Sequence, residues 1–272
     1  MDNRPVFSRF LNTFKKGFNP SALFLELLVV FCGVYLAFIL NNYNEQLKIE
    51  RETKKVLISL KSELENFRLS LPGQSNFQYQ KVKEWTEIAN ANNSVNIYKW
   101  RYIQPQHDYE VIEHAINTRG ADIVDFDLFK SLLSLYTEIK KLEDVEDLVT
   151  DVAGEYRMVP SSLKKNGELY LLEQAHNRMT FLRFIHFSND RARILQRVAD
   201  LSIITLKIIN EKFTPEELKQ VEFDLIKAFA KDQLDDVPQE RVRELIQQSF
   251  PNFTEGDIDS LIEELFNERN EK

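Results

Sequence analysis

The chain is short of the residues that punctuate structure: seven Gly and eight Pro in 272 residues leave few turns, which excludes a turn-rich β architecture and favours long helices. It holds one cysteine, Cys32, so no intramolecular disulfide is available. It has no excess of basic charge. A net charge of −8 argues against general nucleic-acid binding, which needs a cationic surface to displace counterions. Reactive motifs are missing too: there is no G-x-S-x-G nucleophile turn, no glycine loop to cradle phosphate and no Cys/His pair outside the apolar run. The expectation is a non-enzymatic protein with no cofactor.

One long apolar run stands out against this. Residues 22–40, ALFLELLVVFCGVYLAFIL, contain Glu26 as their only charged residue. A helix rises about 1.5 Å per residue, so nineteen residues just cross a hydrocarbon core of roughly 30 Å. The run is longer than a signal-peptide core and leads into Asn41, Asn42, Tyr43, Asn44 and Glu45 with no small-residue cleavage pattern, so an uncleaved transmembrane anchor over residues 21–41 is expected. The collar Asn41–Glu45 would set its depth at the interface.

Within the span, Gly33 and Ala37 form a small-xxx-small pair that lets a second helix approach closely. Glu26 lies about one turn inside and has two readings. It faces a partner helix, or it snorkels to the nearer interface. Ahead of the span, Phe7, Phe10, Leu11, Phe14 and Phe18 share a helical face while Arg9, Lys15 and Lys16 lie off it. Residues 1–20 therefore read as a basic amphipathic segment lying on anionic lipid, with a disordered basic tail as the alternative.

Orientation rests on little. Four Lys/Arg precede the span in residues 1–20 and four follow it in residues 41–60, so the positive-inside count is tied. A lipid-hugging basic tail suits the anionic cytoplasmic leaflet. The expectation is an N-terminus in the cytoplasm and a C-terminal region in the periplasm.

Beyond the span the pattern is helical. Leu57, Leu60, Leu64, Phe67 and Leu71 step by three and four, a heptad seam on a stalk that continues the span, read as a short coiled coil or, more simply, as packing against a later helix of the same chain. Pro72-Gly73 predicts a break, followed by a second helix over 74–92. The run 95–103 is rich in β-branched and aromatic residues without an evident partner strand, and is expected as a connector. A helix is expected over 107–118 with Gly120 as its C-cap, another over 125–155 capped by Asp125, and a long one over 168–210 that pairs antiparallel with the seam. Thr214-Pro215-Glu216-Glu217 starts a further module, 211–272, with eight Lys/Arg against seventeen Asp/Glu. The whole is all-α: an amphipathic segment (1–20), a transmembrane helix (21–41), a stalk and helical-bundle domain (42–210) and an acidic helical module (211–272).

Three side-chain groups are candidates for chemistry. His107, Glu110 and His114 have a metal-like spacing but lack a further strong ligand, so an ordinary polar face is favoured. Arg178, Arg183, Arg191, Arg193 and Arg197 do not share one face and read as a solvated surface pairing with Glu173 and Asp190. The acids Asp232, Asp235, Asp236, Asp257 and Asp259 lack the order of a calcium loop.

The run Glu26-Leu-Leu-Val-Val-x-x-Gly33-Val-x-x-Ala37 followed by Asn41-Asn42-Tyr43-Asn44-Glu45 resembles the N-terminal signature of a family of uncharacterised single-span membrane proteins of Bacteroidetes-type bacteria. There the collar usually carries Trp where this chain has Tyr43. Arg119-Gly120-Ala121-Asp122 and the helix after Asp125 are similar to a second segment of that family. The resemblance implies an inner-membrane protein with a helical extramembrane part and brings no activity, cofactor or catalytic residue. The expected function is a membrane-anchored interaction subunit whose partners are lipid and another membrane protein or a second copy. A sensor or small-molecule-binding protein is the alternative.

Overall fold

The computed structural model describes residues 20–102, 107, 109–123, 125–159, 167–233, 237–250 and 253–270. The expected segment 1–20 lies outside them apart from Pro20, and Arg9, Lys15 and Lys16 with it. Among the described residues the chain is all-α: seven α-helices, one 3-10 turn and no strand. The helices are α1 (Pro20–Asn90), α2 (Glu110–Ile123), α3 (Phe126–Gly154), α4 (Glu168–Asn210), α5 (Pro215–Gln233), α6 (Gln239–Ser249) and α7 (Glu255–Asn270), with the 3-10 turn at Tyr98–Tyr102. Contacts divide the chain into two compact units, Met1–Lys54 and Lys55–Lys272.

In the first unit the described residues are one run of α1. Its large apolar side chains from Leu27 to Leu40 are exposed all round, and Phe31 and Tyr35 stack one turn apart at 6.4 Å. Past the collar the surface becomes charged, with exposed pairs Lys48–Glu52 and Glu50–Lys54 at 3.9 and 3.8 Å.

The second unit is organised by α4. Its buried residues Asn177, Phe181, Phe184, Ser188, Arg191, Leu195, Val198, Ser202, Thr205 and Ile209 repeat at four and three, which places one continuous stripe against α1 and α3. Along α1 the partners on α4 fall as the number rises. Lys61 Nζ donates to Asn210 Oδ1 at 2.9 Å, Ser75 Oγ to the Ala192 carbonyl at 2.8 Å, and Trp85 meets Phe184 at 5.0 Å. The two helices are antiparallel, as expected. So are α3 and α4, joined at Ser131–Thr205 (2.7 Å), Glu146–Arg191 (2.8 Å) and Glu155–Arg183 (2.6 Å).

The seam Leu57, Leu60, Leu64, Phe67 and Leu71 is buried in one core with Leu132, Leu135 and Ile139 of α3 and Leu195, Val198 and Ile209 of α4. The helix continues the apolar run as expected, and of the seam's two readings, coiled coil or packing against later helices of the chain, the second is the one observed. A second core joins Trp85, Ile97, Val152, Phe181 and Phe184. A third, Ile226, Val242, Ile246, Ile258, Leu261 and Leu265, belongs to α5–α7.

Several boundaries differ from expectation. Pro72 does not end a helix: α1 runs through it to Asn90. Burial of Leu71 and Ser75 on either side outweighs the lost backbone donor. The end comes at Asn92, whose φ of 60° closes a Schellman-type turn with Asn92 and Asn93 N–H bonded to the Ala89 and Ile88 carbonyls. The connector holds a 3-10 turn that seats Trp100 on Trp85 at 5.0 Å. α2 starts at Glu110, not His107, and runs past Gly120 to Ile123. The Asp125 cap is as expected, its side chain accepting from Leu128 N at 3.0 Å. Capping boxes start α5 and α7: Thr214 and Glu217 exchange backbone-to-side-chain bonds of 3.0 and 3.3 Å, and Thr254 and Asp257 do the same at 2.9 and 3.3 Å.

Candidate functional site

The residues singled out for helix packing lie on the exposed run of α1. A side chain built at Gly33 would meet nothing within 4 Å, and Ala37 one turn on is also exposed, so backbone is open to close approach there. Glu26 is helical, and its side chain lies outside the described set. Asn41, Asn42, Tyr43, Asn44 and Glu45 continue the helix with exposed side chains. α1 is the one helix among the described residues that is long and apolar enough to cross a membrane.

Burial in the second unit gathers charged side chains. Lys61 is fully shielded, and its Nζ donates to Glu222 Oε1 at 3.0 Å, Glu65 Oε1 at 3.3 Å and Asn210. Three acceptors from α1, α4 and α5 thus replace the water that an ammonium loses on burial. Arg68 extends the cluster: its Nε meets Glu65 Oε2 at 2.5 Å, its Nη2 donates to the Ser249 carbonyl at 3.1 Å, and its guanidinium lies 5.6 Å from the Phe250 ring centre. A cavity of about 470 Å³ opens beside this cluster, with Arg68, Lys207, Glu211 and Glu222 as charged walls and Leu206 and Phe250 as apolar ones. No sequence signal marked it, because its walls come from four helices.

A second buried group joins Arg191, Glu146, Gln78 and His107. Arg191 Nε donates to Glu146 Oε1 at 2.8 Å, and His107 Nε2 stands 3.4 Å from the same oxygen without a hydrogen bond. His107 thereby sits beside Glu146 of α3. Among the described residues no three His, Cys, Asp or Glu side chains gather as a metal site. The arginines of α4 part company in the same way: Arg191 is buried, while the exposed Arg183, Arg193 and Arg197 pair with Glu155, the half-buried Asp190 and the buried Glu138. Glu173 pairs with Arg157.

On the surface between α2 and α3, Lys140 Nζ donates to Tyr109 Oη at 2.5 Å and to Glu143 at 3.0 Å, which raises the lysine above its ordinary range. Of the module's acids, Asp257 is held down to about 2 by Lys219 at 2.7 Å and by Thr254. Asp259 pairs with Arg243, and Asp235 and Asp236 lie outside the described residues. The aromatics Trp85, Trp100 and Phe184 pack ring against ring at 5.0–6.2 Å rather than lining the cavity.

Compared with known proteins, the chain matches no family model, no curated protein and no solved structure.

Proposed function

We propose that this is a non-enzymatic, membrane-anchored interaction or accessory subunit that binds another envelope protein through its transmembrane helix and its helical-bundle domain. The observation that carries this is the run Leu27–Leu40, apolar on every face and left exposed by the described residues. Each large apolar side chain left in water forgoes roughly 1.5–3 kcal/mol of burial. A bilayer supplies that burial, and the span then offers Gly33 and Ala37 to a partner helix. The chain belongs, on this reading, with the single-span family that its collar resembles. It sits in a bacterial inner membrane with the N-terminus cytoplasmic and the helical domain periplasmic, and lipid is its first partner.

Purification of the full chain in mild detergent tests the assignment. The expected result is a complex that Gly33→Leu disrupts while the protein stays in the membrane fraction. A monomer without a companion protein overturns it, and a reporter fused after Lys272 that is active only in the cytoplasm overturns the orientation.

The cavity beside Lys61 favours a second reading, a sensor whose helical domain takes a small molecule. Native mass spectrometry of the full chain that finds a bound compound, released on denaturation, would favour this reading over the first.

A further inference from the structure

The cavity beside Lys61 carries charge of both signs that the fold leaves unused. Lys207, in the last turn of α4, and Glu211, its C-cap, both line it. They stand one helical turn apart, a spacing at which opposite charges commonly pair. Yet neither side chain forms an ion pair or a hydrogen bond among the described residues, and both are exposed.

Two more buried groups in the same walls are only partly used. Arg68 commits Nε to Glu65 and Nη2 to the Ser249 carbonyl, which leaves the N–H groups of Nη1. Its guanidinium, 5.6 Å from the Phe250 ring centre, is held in place by that contact. Glu222 commits Oε1 to Lys61 and keeps Oε2 as an acceptor. Leu206 and Phe250, both buried, supply an apolar wall, with Ile203 at the surface.

These walls restrict what can bind. An anion attracted to Arg68 and Lys207 also meets Glu65, Glu211 and Glu222, and a cation meets the reverse, so a ligand of one charge is repelled by part of the site. A molecule with a carboxylate and an ammonium on one carbon answers both signs through charge-assisted hydrogen bonds. An apolar side chain on that carbon gains burial against Leu206 and Phe250. The volume of about 470 Å³ is in the range of small-molecule sites.

We infer that the cavity binds a zwitterionic α-amino acid with an apolar side chain, its carboxylate held by Arg68 and Lys207 and its ammonium by Glu211 and Glu222. This rests on the reading of the helical domain as a small-molecule sensor and names the class of ligand. The walls come from α1, α4, α5 and the end of α6, while the core of α5–α7 is separate from that of the bundle. A bound amino acid therefore bridges the bundle and the acidic module.

Isothermal titration calorimetry of the full chain in detergent compares leucine with isocaproate, which lacks the ammonium, and isopentylamine, which lacks the carboxylate. Leucine is expected to bind, and each partial analogue to bind at least about tenfold more weakly. Lys207→Gln and Glu211→Gln should each weaken leucine by a similar factor. Neither should move the melting temperature of the ligand-free chain, since neither side chain pairs with the protein. Binding of either analogue as tightly as leucine, or leucine binding that both variants leave unchanged, overturns the inference. Native mass spectrometry of the chain as purified separates it from the reading beneath it: a bound compound that is not a zwitterion overturns the amino acid and leaves the cavity a ligand site. No bound compound together with no heat from leucine overturns both.

Discussion

Lys61 and Glu222 form an ion pair across 161 residues of sequence, 3.0 Å apart and sealed from solvent. It ties the first helix of the second unit to the module that ends the chain. Stranding a buried charge with no partner costs about 3–5 kcal/mol, and Lys61 without Glu222 keeps Glu65 and Asn210 as acceptors. Glu222→Ala is therefore expected to lower stability by less than that amount in urea unfolding. The double change Lys61→Met with Glu222→Met should cost less, because neither charge remains buried alone.

Phe184 touches Trp85 and Trp100 at 5.0 and 6.2 Å, and all three sit around the second core. Phe184→Ala leaves a large cavity there and is expected to cost roughly 3–5 kcal/mol. Tryptophan fluorescence should shift to the red as water reaches the indoles. An unchanged spectrum with an unchanged melting point would contradict the packing.

Asp257 is held near 2, against an ordinary carboxyl value of 3.8, first by its bond to Lys219 and then by Thr254. A lowered folded pKa means stability that is present above about pH 4 and lost as the pH falls through 2. Asp257→Asn should flatten this part of the stability curve. The comparison is thermal melting between pH 2 and 5, where parent and variant converge at the acid end.

Pro72 lies inside α1 without a backbone donor. Pro72→Ala restores the bond to the Arg68 carbonyl and should stabilise by roughly 1–3 kcal/mol, seen as a higher melting temperature. A fall instead would mean that the ring is needed where Leu71 and Ser75 pack.

The elements that were legible in the sequence had one face to declare. α4 starts and ends where its pattern and the absence of Gly and Pro place it, and α3 begins at a capping Asp125 whose bond is local. What was not legible depended on distant partners. Pro72-Gly73 reads as a stop because the burial that overrides it comes from α4, 117 residues away at Ser75. Lys61, Glu65 and Arg68 lie in a row beside the Leu57–Leu71 seam, and such a row reads as its solvated flank. They are instead covered by Glu222 and Ser249, which the local sequence cannot announce. Arg191 and His107 were misread for the same reason, since Glu146 is what takes them inside. The apolar run needed no partner and was read directly.

The order of these contacts along the chain also bears on biogenesis. The Leu57–Leu71 seam leaves the ribosome long before α4, and Lys61 waits 161 residues for Glu222. At synthesis rates of about 5–20 residues per second this is on the order of 10–30 s. For that interval the row of leucines stands open next to a hydrophobic run, and Lys61 has Glu65 but not Glu222 to pair with.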